Sequence, residues 1–313
     1  MSTDSSGAAS GSLLLTRDRS RIQLAFAVIY IVWGVSYAVG KIMVLALPPL
    51  LAAGVRFTLA GSVLVVVAQM RGLAMPLSSR EWLSVVTSAM LGIVLSNGLN
   101  LLALQHVASN QVALISASSA FWIAWLGMYG RRATPVSART WAGLAVGFVG
   151  VAVLVSAHGF SAHAKVGWQL VVLASALCWA LATAAIRESP SESDPLSFTA
   201  CYLLVGGVVL AVIGLSEGDA GRWVWSPSGI TAILFLAVFS SIFGFVSYTY
   251  LLLHESPSRV GTYAYVNPLV AVFTGWLLLG ETLNATQILG AVIIFSGVIL
   301  VRNLRLPRFW RAR

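Results

Sequence analysis

Charge is what this chain has least of. Only 9% of its 313 residues are Asp, Glu, Lys or Arg, against roughly 25% in an ordinary soluble domain. With 58% hydrophobic residues and apolar runs along nearly its whole length, it cannot build a conventional water-facing surface. The acidic side is poorer still. All ten carboxylates (Asp4, Asp18, Glu81, Glu188, Glu192, Asp194, Glu217, Asp219, Glu255 and Glu281) fall in tails, loops or the ends of apolar runs. A proton relay of mid-membrane carboxylates therefore lacks its parts. The two cysteines, Cys178 and Cys201, lie within apolar runs and read as free thiols packed as small apolar residues. No Walker loop, HExxH or partnered GxSxG occurs, so ATP hydrolysis and hydrolase chemistry have no support. No cofactor and no metal is expected.

What is present is length in apolar form. About 20 residues at roughly 1.5 Å each cover a hydrocarbon core of roughly 30 Å. Ten runs approach or exceed that: 22–46, 50–70, 82–104, 110–129, 139–156, 166–187, 196–215, 228–252, 259–279 and 286–302. The expected class is an all-α polytopic membrane protein, with the lipid bilayer as its surroundings. Residues 1–21 read as a disordered cytoplasmic tail ahead of an uncleaved first span, and 304–313 as a basic cytoplasmic tail.

The net charge of +9 would fit a nucleic-acid binder, but the basic residues sit between apolar runs and at the ends. They read as an orientation signal, with no nucleic-acid partner. With the N-terminus inside, fifteen Lys or Arg fall in inner segments and two, Lys165 and Arg222, in outer ones, while Lys41 and Arg56 lie inside spans. Both termini are thus expected in the cytoplasm of an inner (plasma) membrane protein.

The chain repeats itself. WGVSYAVGK from Trp33 to Lys41 is echoed by WALATAAIR from Trp179 to Arg187, 146 residues later. Pro49 and Gly61 match Pro195 and Gly207 at that offset, His106 and Val112 match His254 and Val260 at 148, and GLAVGFVGV from Gly143 matches GAVIIFSGV from Gly290 at 147. Each half, 22–157 and 158–303, then holds five spans. An odd number turns the second half over, so the expectation is ten helices as two inverted five-helix repeats.

The opening W-G-x-S-x-x-x-x-K, the Arg56-Phe57 pair and GWLLLGETLNATQILGAVIIFSGVIL from Gly275 resemble the EamA-type branch of the drug/metabolite transporter superfamily. The resemblance implies ten helices, a central substrate cavity between the halves, and export of small metabolites or amino acids. One feature departs from it. Glu281 has no partner in the first half, where Arg131-Arg132-Ala133-Thr134 stands.

Candidate substrate-binding residues are the polar and aromatic groups inside spans. Trp33, Tyr37 and Lys41 share one helix stripe at i, i+4 and i+8. Lys41 and Arg56 lie near the outer side of neighbouring spans. Either they line a vestibule that attracts an anion, such as a substrate carboxylate, or they snorkel to the headgroups, with Glu281 a rival counter-ion. Trp122, Trp179 and Tyr263 lie deep, where packing competes with cavity lining. Asn97, Asn100 and Asn267 need partners in a dry bilayer, either helices or substrate. Ser119 and Thr183 complete the set, and Pro268 is expected to kink span nine.

These readings converge on export of small amphiphilic metabolites, amino acids first among them and aromatic ones included, by alternating access. Facilitated diffusion and proton coupling both stay open. A lipophilic-cation drug exporter is the alternative, disfavoured by Lys41 and Arg56. An intramembrane enzyme would need a catalytic constellation that the sequence lacks. Gly143, Gly147 and Gly150 permit close helix approach, within a monomer or across a weak homodimer. Topology reporters fused at Gly72, Arg132, Glu192 and Arg313 are expected to report cytoplasm, and those at His158 and Gly218 the opposite side. A periplasmic signal from Arg313 would break the even count.

Overall fold

The computed structural model describes residues 6–302, apart from 77, 132, 134, 136, 157–162, 190–193 and 256. The expected tail 304–313 and His158 therefore lie outside the described residues. Every regular element among those described is helical: α1 (Ser6–Ala46), α2 (Pro49–Met70), α3 (Ser79–Leu104), α4 (Ser109–Ser116), α5 (Ser119–Leu126), α6 (Ala138–Ser156), α7 (His163–Glu188), α8 (Pro195–Ser216), the short α9 (Asp219–Arg222), α10 (Pro227–His254), the short α11 (Pro257–Val260), α12 (Tyr263–Leu279) and α13 (Ala285–Arg302). Six helical stretches are long and apolar enough to cross a bilayer: Arg19–Ala46, Pro49–Met70, Ser79–Leu104, Val166–Glu188, Pro195–Ser216 and Pro227–His254. Large apolar side chains such as Leu24, Val66, Val212, Phe243, Phe273 and Leu277 point outward, each more than half exposed apart from the surrounding lipid. That is the reverse of a water-soluble fold.

Helix starts follow local chemistry. Proline stands at the first position of α2, α8 and α10, where its missing N–H costs nothing. Ser78 and Glu81 close a reciprocal capping box on α3. Asp194 caps α8 through the Leu196 amide at 2.8 Å, and Ser226 caps α10 through Gly229 at 3.1 Å. Three expectations need correction. The segment 1–21 is helical from Ser6 onward, because the span propagates outward through a stretch with no proline to stop it. Span four is two helices broken at Ala117-Ser118, and span nine is broken at Gly261-Thr262. At both breaks the backbone tightens into three-residue bonds, Phe121 N to Ser118 O at 2.9 Å and Ala264 N to Gly261 O at 3.2 Å.

The packing pairs elements that correspond in sequence. α2 lies against α8 and α6 against α13, while α1 packs on α10 and α12 as α7 packs on α3, α4 and α5. Along α2 the partner number falls as its own rises: Leu51 meets Gly214, Gly54 meets Ala211, Thr58 meets Gly207 and Gly61 meets Leu204. The two helices are therefore antiparallel and touch backbone to backbone. α6 and α13 do the same, Gly150 against Gly290 and Ile294, and Gly297 against Gly143 and Gly147. Within α3 and α10 the winding loosens to π-helix over Ala89–Asn97 and Leu236–Gly244, again 147 residues apart.

A Cβ on Gly61 would lie 2.5 Å from the Leu204 amide nitrogen, and one on Gly214 2.6 Å from that of Leu51. Gly147 differs, because its own Cβ position meets nothing within 4 Å although its backbone abuts Gly297. Gly61→Leu is expected to cost about 3 kcal/mol, the upper end of overpacking penalties, read as a lower unfolding temperature in detergent. Gly147→Leu should leave that temperature unchanged. Equal tolerance at both sites would contradict the close crossing of α2 and α8.

Candidate functional site

A cavity of about 130 Å³ opens where the halves meet. The measure that allots one water roughly 10–15 Å³ gives it room for a small metabolite. Its lining comes from both halves: Trp33, Tyr37, Arg56, Asn97, Asn100 and Ser119 from the first, and Trp179, Tyr263, Asn267 and Pro268 from the second. Trp33 and Trp179, the repeated tryptophans, meet edge to face with ring centroids 5.5 Å apart at 84°. Phe245, Tyr248 and Tyr263 complete an aromatic cluster around them. The Trp33 indole donates to the Ser240 carbonyl at 3.1 Å, and that of Trp179 to the Tyr263 hydroxyl at 2.6 Å. Both ring N–H groups are thus spent on neighbours, as a dry interior demands.

The asparagines divide. Asn97 donates to the Gly92 carbonyl at 2.7 Å, closing the π-helical segment of its own helix. Asn100 donates to Ser116 Oγ at 3.3 Å. With its amide nitrogen assigned by the bonding network, Asn267 donates to the carbonyls of Ile29, Tyr30 and Tyr263, each at 3.1 Å, and so staples α12 to α1. Pro268 sits inside α12 and withholds a donor from the carbonyl of Ala264, and both residues line the cavity.

Three candidates stand elsewhere. Lys41 is half-buried, and its ammonium donates to the carbonyls of Leu104 and Val107, the latter at 3.2 Å. A cation thus sits on the carbonyl end of α3, where the helix dipole favours it. Trp122 packs against Phe121 and Phe148, on the side facing α6. Thr183 lies behind the aromatic cluster, donating to the Trp179 carbonyl at 2.9 Å and pairing with the Tyr248 hydroxyl at 2.7 Å.

Glu281 is neither beside Arg56 nor paired with Lys41. Its carboxylate accepts from the Ser109 amide at 2.7 Å, the Ser109 hydroxyl at 2.8 Å and the Asn110 amide at 3.0 Å. It caps the positive end of α4 from the other half of the chain. Gly280, at φ 65, makes the left-handed turn that returns Glu281 to this position. Lys41 and Glu281 together hold the two ends of the turn between α3 and α4. In the first half the corresponding loop takes Glu188 instead, whose carboxylate accepts from the Arg131 amide at 2.9 Å.

Arg56 is different again. It is 4% exposed, lines the cavity, and donates from Nε to Ser241 Oγ at 2.9 Å and from Nη2 to Ser240 Oγ at 3.0 Å. Its guanidinium lies 4.4 Å from the Phe57 ring centroid. Ser36, Ser96, Ser175, Ser240 and Phe245 also line the space and were not singled out from the sequence. Ser36 and Ser175 could have been, since each lies within one helical turn of a repeated tryptophan.

The described residues form an all-helical protein with a cavity of mixed polar and aromatic lining between the two halves of its sequence, an architecture that suits a membrane transporter. The chain belongs to the EamA-like transporter family, whose profile matches residues 21–156 and again 166–303. It is 31% identical to the uncharacterized transporter YvbV of Bacillus subtilis, over 92% of this chain and 93% of that one. It is 32% identical to the uncharacterized inner membrane transporter YedA of Escherichia coli K12, over 88% and 89%. A protein named as an S-adenosylmethionine/S-adenosylhomocysteine transporter, from Chlamydia trachomatis, is 29% identical over 80% of each chain. One solved structure superposes with a TM-score of 0.68 at 19% identity, over 91% of this chain and 99% of that one, a likeness of fold. These relatives place the protein with transporters rather than enzymes.

Removing Glu281 or Lys41 should loosen the α3–α4 turn. Glu281→Ala and Lys41→Gln are each expected to cost about 1.5–3 kcal/mol, the worth of hydrogen bonds to a charged group, as a lower unfolding temperature in detergent. An unchanged temperature for both would show that the turn does not depend on them.

Proposed function

We propose that this protein exports small amphiphilic metabolites, amino acids first among them, across a bacterial inner membrane. Two inverted five-helix repeats, both termini cytoplasmic, rock about the central cavity to expose it to one side at a time. The observation that carries the reading is the shared lining. The Trp33–Trp179 contact and the Arg56–Ser240 bond both cross between the halves at the cavity wall, so any movement of one half on the other must reshape the site. The antiparallel pairs α2–α8 and α6–α13 and the equally spaced π-helical segments support the inverted arrangement. The breaks within spans four and nine both border the cavity, where interrupted helices of transporters cluster. The relatives agree in class. YedA is named an inner membrane transporter. The Chlamydia relative is named for molecules that carry an amino-acid end.

Arg56 weighs against lipophilic cations, which would meet an uncompensated positive charge in the cavity. The purified protein in proteoliposomes, loaded in turn with each amino acid, should show counterflow of the labelled form. A second series with an imposed pH gradient separates facilitated from proton-coupled movement. Uptake of lipophilic cations with no amino-acid counterflow would overturn the proposal in favour of the drug-exporter reading. Labelled amino-acid flux that unlabelled substrate on the far side does not stimulate would overturn alternating access.

A further inference from the structure

We infer that Arg56 is the anchor for a single negative charge on the transported molecule, and that it takes this charge by exchanging it for two serine hydroxyls that tie α2 to α10. The inference rests on the transporter reading above and deepens it, naming the ligand's charge and the bonds it replaces.

The first observation is the state of the guanidinium. A guanidinium offers five N–H donors in a planar fork suited to a two-oxygen anion. In Arg56 two of these go to neutral hydroxyls, on Ser240 and Ser241, and no described carboxylate lies within ion-pair distance. Taking a cation out of water without a counter-charge is costly, and intramembrane ionisable groups are kept mainly where the charge has a use. Arg56 and Ser240 both line the cavity, so an anion arriving there reaches Nη2 along the direction that the Ser240 hydroxyl now occupies.

The second observation is where the symmetry of the halves breaks. The position 146 residues after Arg56 is Tyr202. Arg56 on α2 rests on Ser240 in the π-helical segment of α10, and Tyr202 on α8 rests on Gly92 in the π-helical segment of α3. The two sites correspond in place but not in charge. Tyr202 is 1% exposed, and its hydroxyl has no hydrogen-bond partner among the described residues. Lys41 is committed to backbone carbonyls. The cavity can therefore balance one negative charge, and it can do so on one side only. A carboxylate fits that charge, whereas a phosphate monoester would leave one charge uncompensated.

The third observation is what the exchange releases. Arg56 belongs to the first half and the two serines to the second. An anion that bonds the guanidinium in their place removes one tie between α10 and α2, whose Phe245 and Phe57 rings stay in contact, so occupancy itself loosens the join between the halves.

The test uses the full chain in proteoliposomes, with each amino acid paired against its carboxamide and with O-phosphoserine as the dianion. The wild type should favour acid over amide and exclude the dianion. Arg56→Gln should weaken the acids about ten- to hundredfold, the loss of a charged hydrogen bond, and the amides less than threefold. Arg56→Lys, which keeps the charge, should retain the acid preference at reduced affinity. The double variant Ser240→Ala/Ser241→Ala should bind acids more tightly than the wild type, because they no longer compete with the serines, and so widen the preference for acid over amide. Equal losses for acid and amide in Arg56→Gln, or weaker acid binding in the serine variant, would overturn the inference. Acid counterflow that ignores the charge at residue 56 would overturn it too, and would leave the carrier reading intact. No counterflow by any member of the panel would remove that reading and the inference with it.

Discussion

A charge inside a bilayer must find a partner within the protein, and this constraint orders the structure. Lys41 finds the carbonyls that end α3, and Glu281 finds the amides that begin α4. Each charge meets the helix end of opposite polarity, so both are satisfied without an ion pair. Together they secure a turn at one end of the cavity, and none of the described residues that line the space is a carboxylate. Arg56 obeys the same constraint only through neutral hydroxyls. The two clamping charges are spent on helix ends, and the third is the one proposed above to meet the substrate.

Close packing supplies the frame in which those charges sit. Lipid tails are as apolar as the helix surfaces, so helices in a membrane associate through contact rather than through the hydrophobic effect. Here the contact is made by glycines seven residues apart, Gly54 and Gly61 on α2 and Gly207 and Gly214 on α8, each bringing backbone against backbone. α6 and α13 are joined in the same way. Each pair joins a helix of the first half to one of the second, α2 to α8 and α6 to α13, so any movement of the halves must turn about these contacts.

The fold was legible in the sequence to a considerable degree, because length and apolarity are local properties. The six long spans fall where the apolar runs are, and the repeated tryptophans meet in space as their register suggests. The breaks in spans four and nine were not foreseen, since serine and glycine within an apolar run do not by themselves stop a helix. In the site, Trp33, Tyr37, Arg56, Asn100 and Tyr263 reach the cavity, whereas Lys41, Trp122 and Thr183 do not. Sequence reports how deep a residue lies along its helix but not toward which neighbour it turns. Trp122 is deep and faces α6, and Lys41 is held by a turn more than sixty residues away. That Glu281 also caps a helix was hidden for the same reason, because that helix end belongs to the opposite half of the chain.

The central claim is that one cavity, shared by two halves, opens to one side of the membrane at a time. Ser36 lines that cavity, and Cys178 and Cys201 are free thiols that can be replaced by alanine. In such a background, a Ser36→Cys variant is labelled with a membrane-impermeant thiol reagent in right-side-out and inverted vesicles, with and without a transported amino acid. The account predicts labelling that favours one side in the empty protein and a change in that ratio when substrate is added. Equal labelling from both sides, unaltered by substrate, would describe an open pore and contradict it.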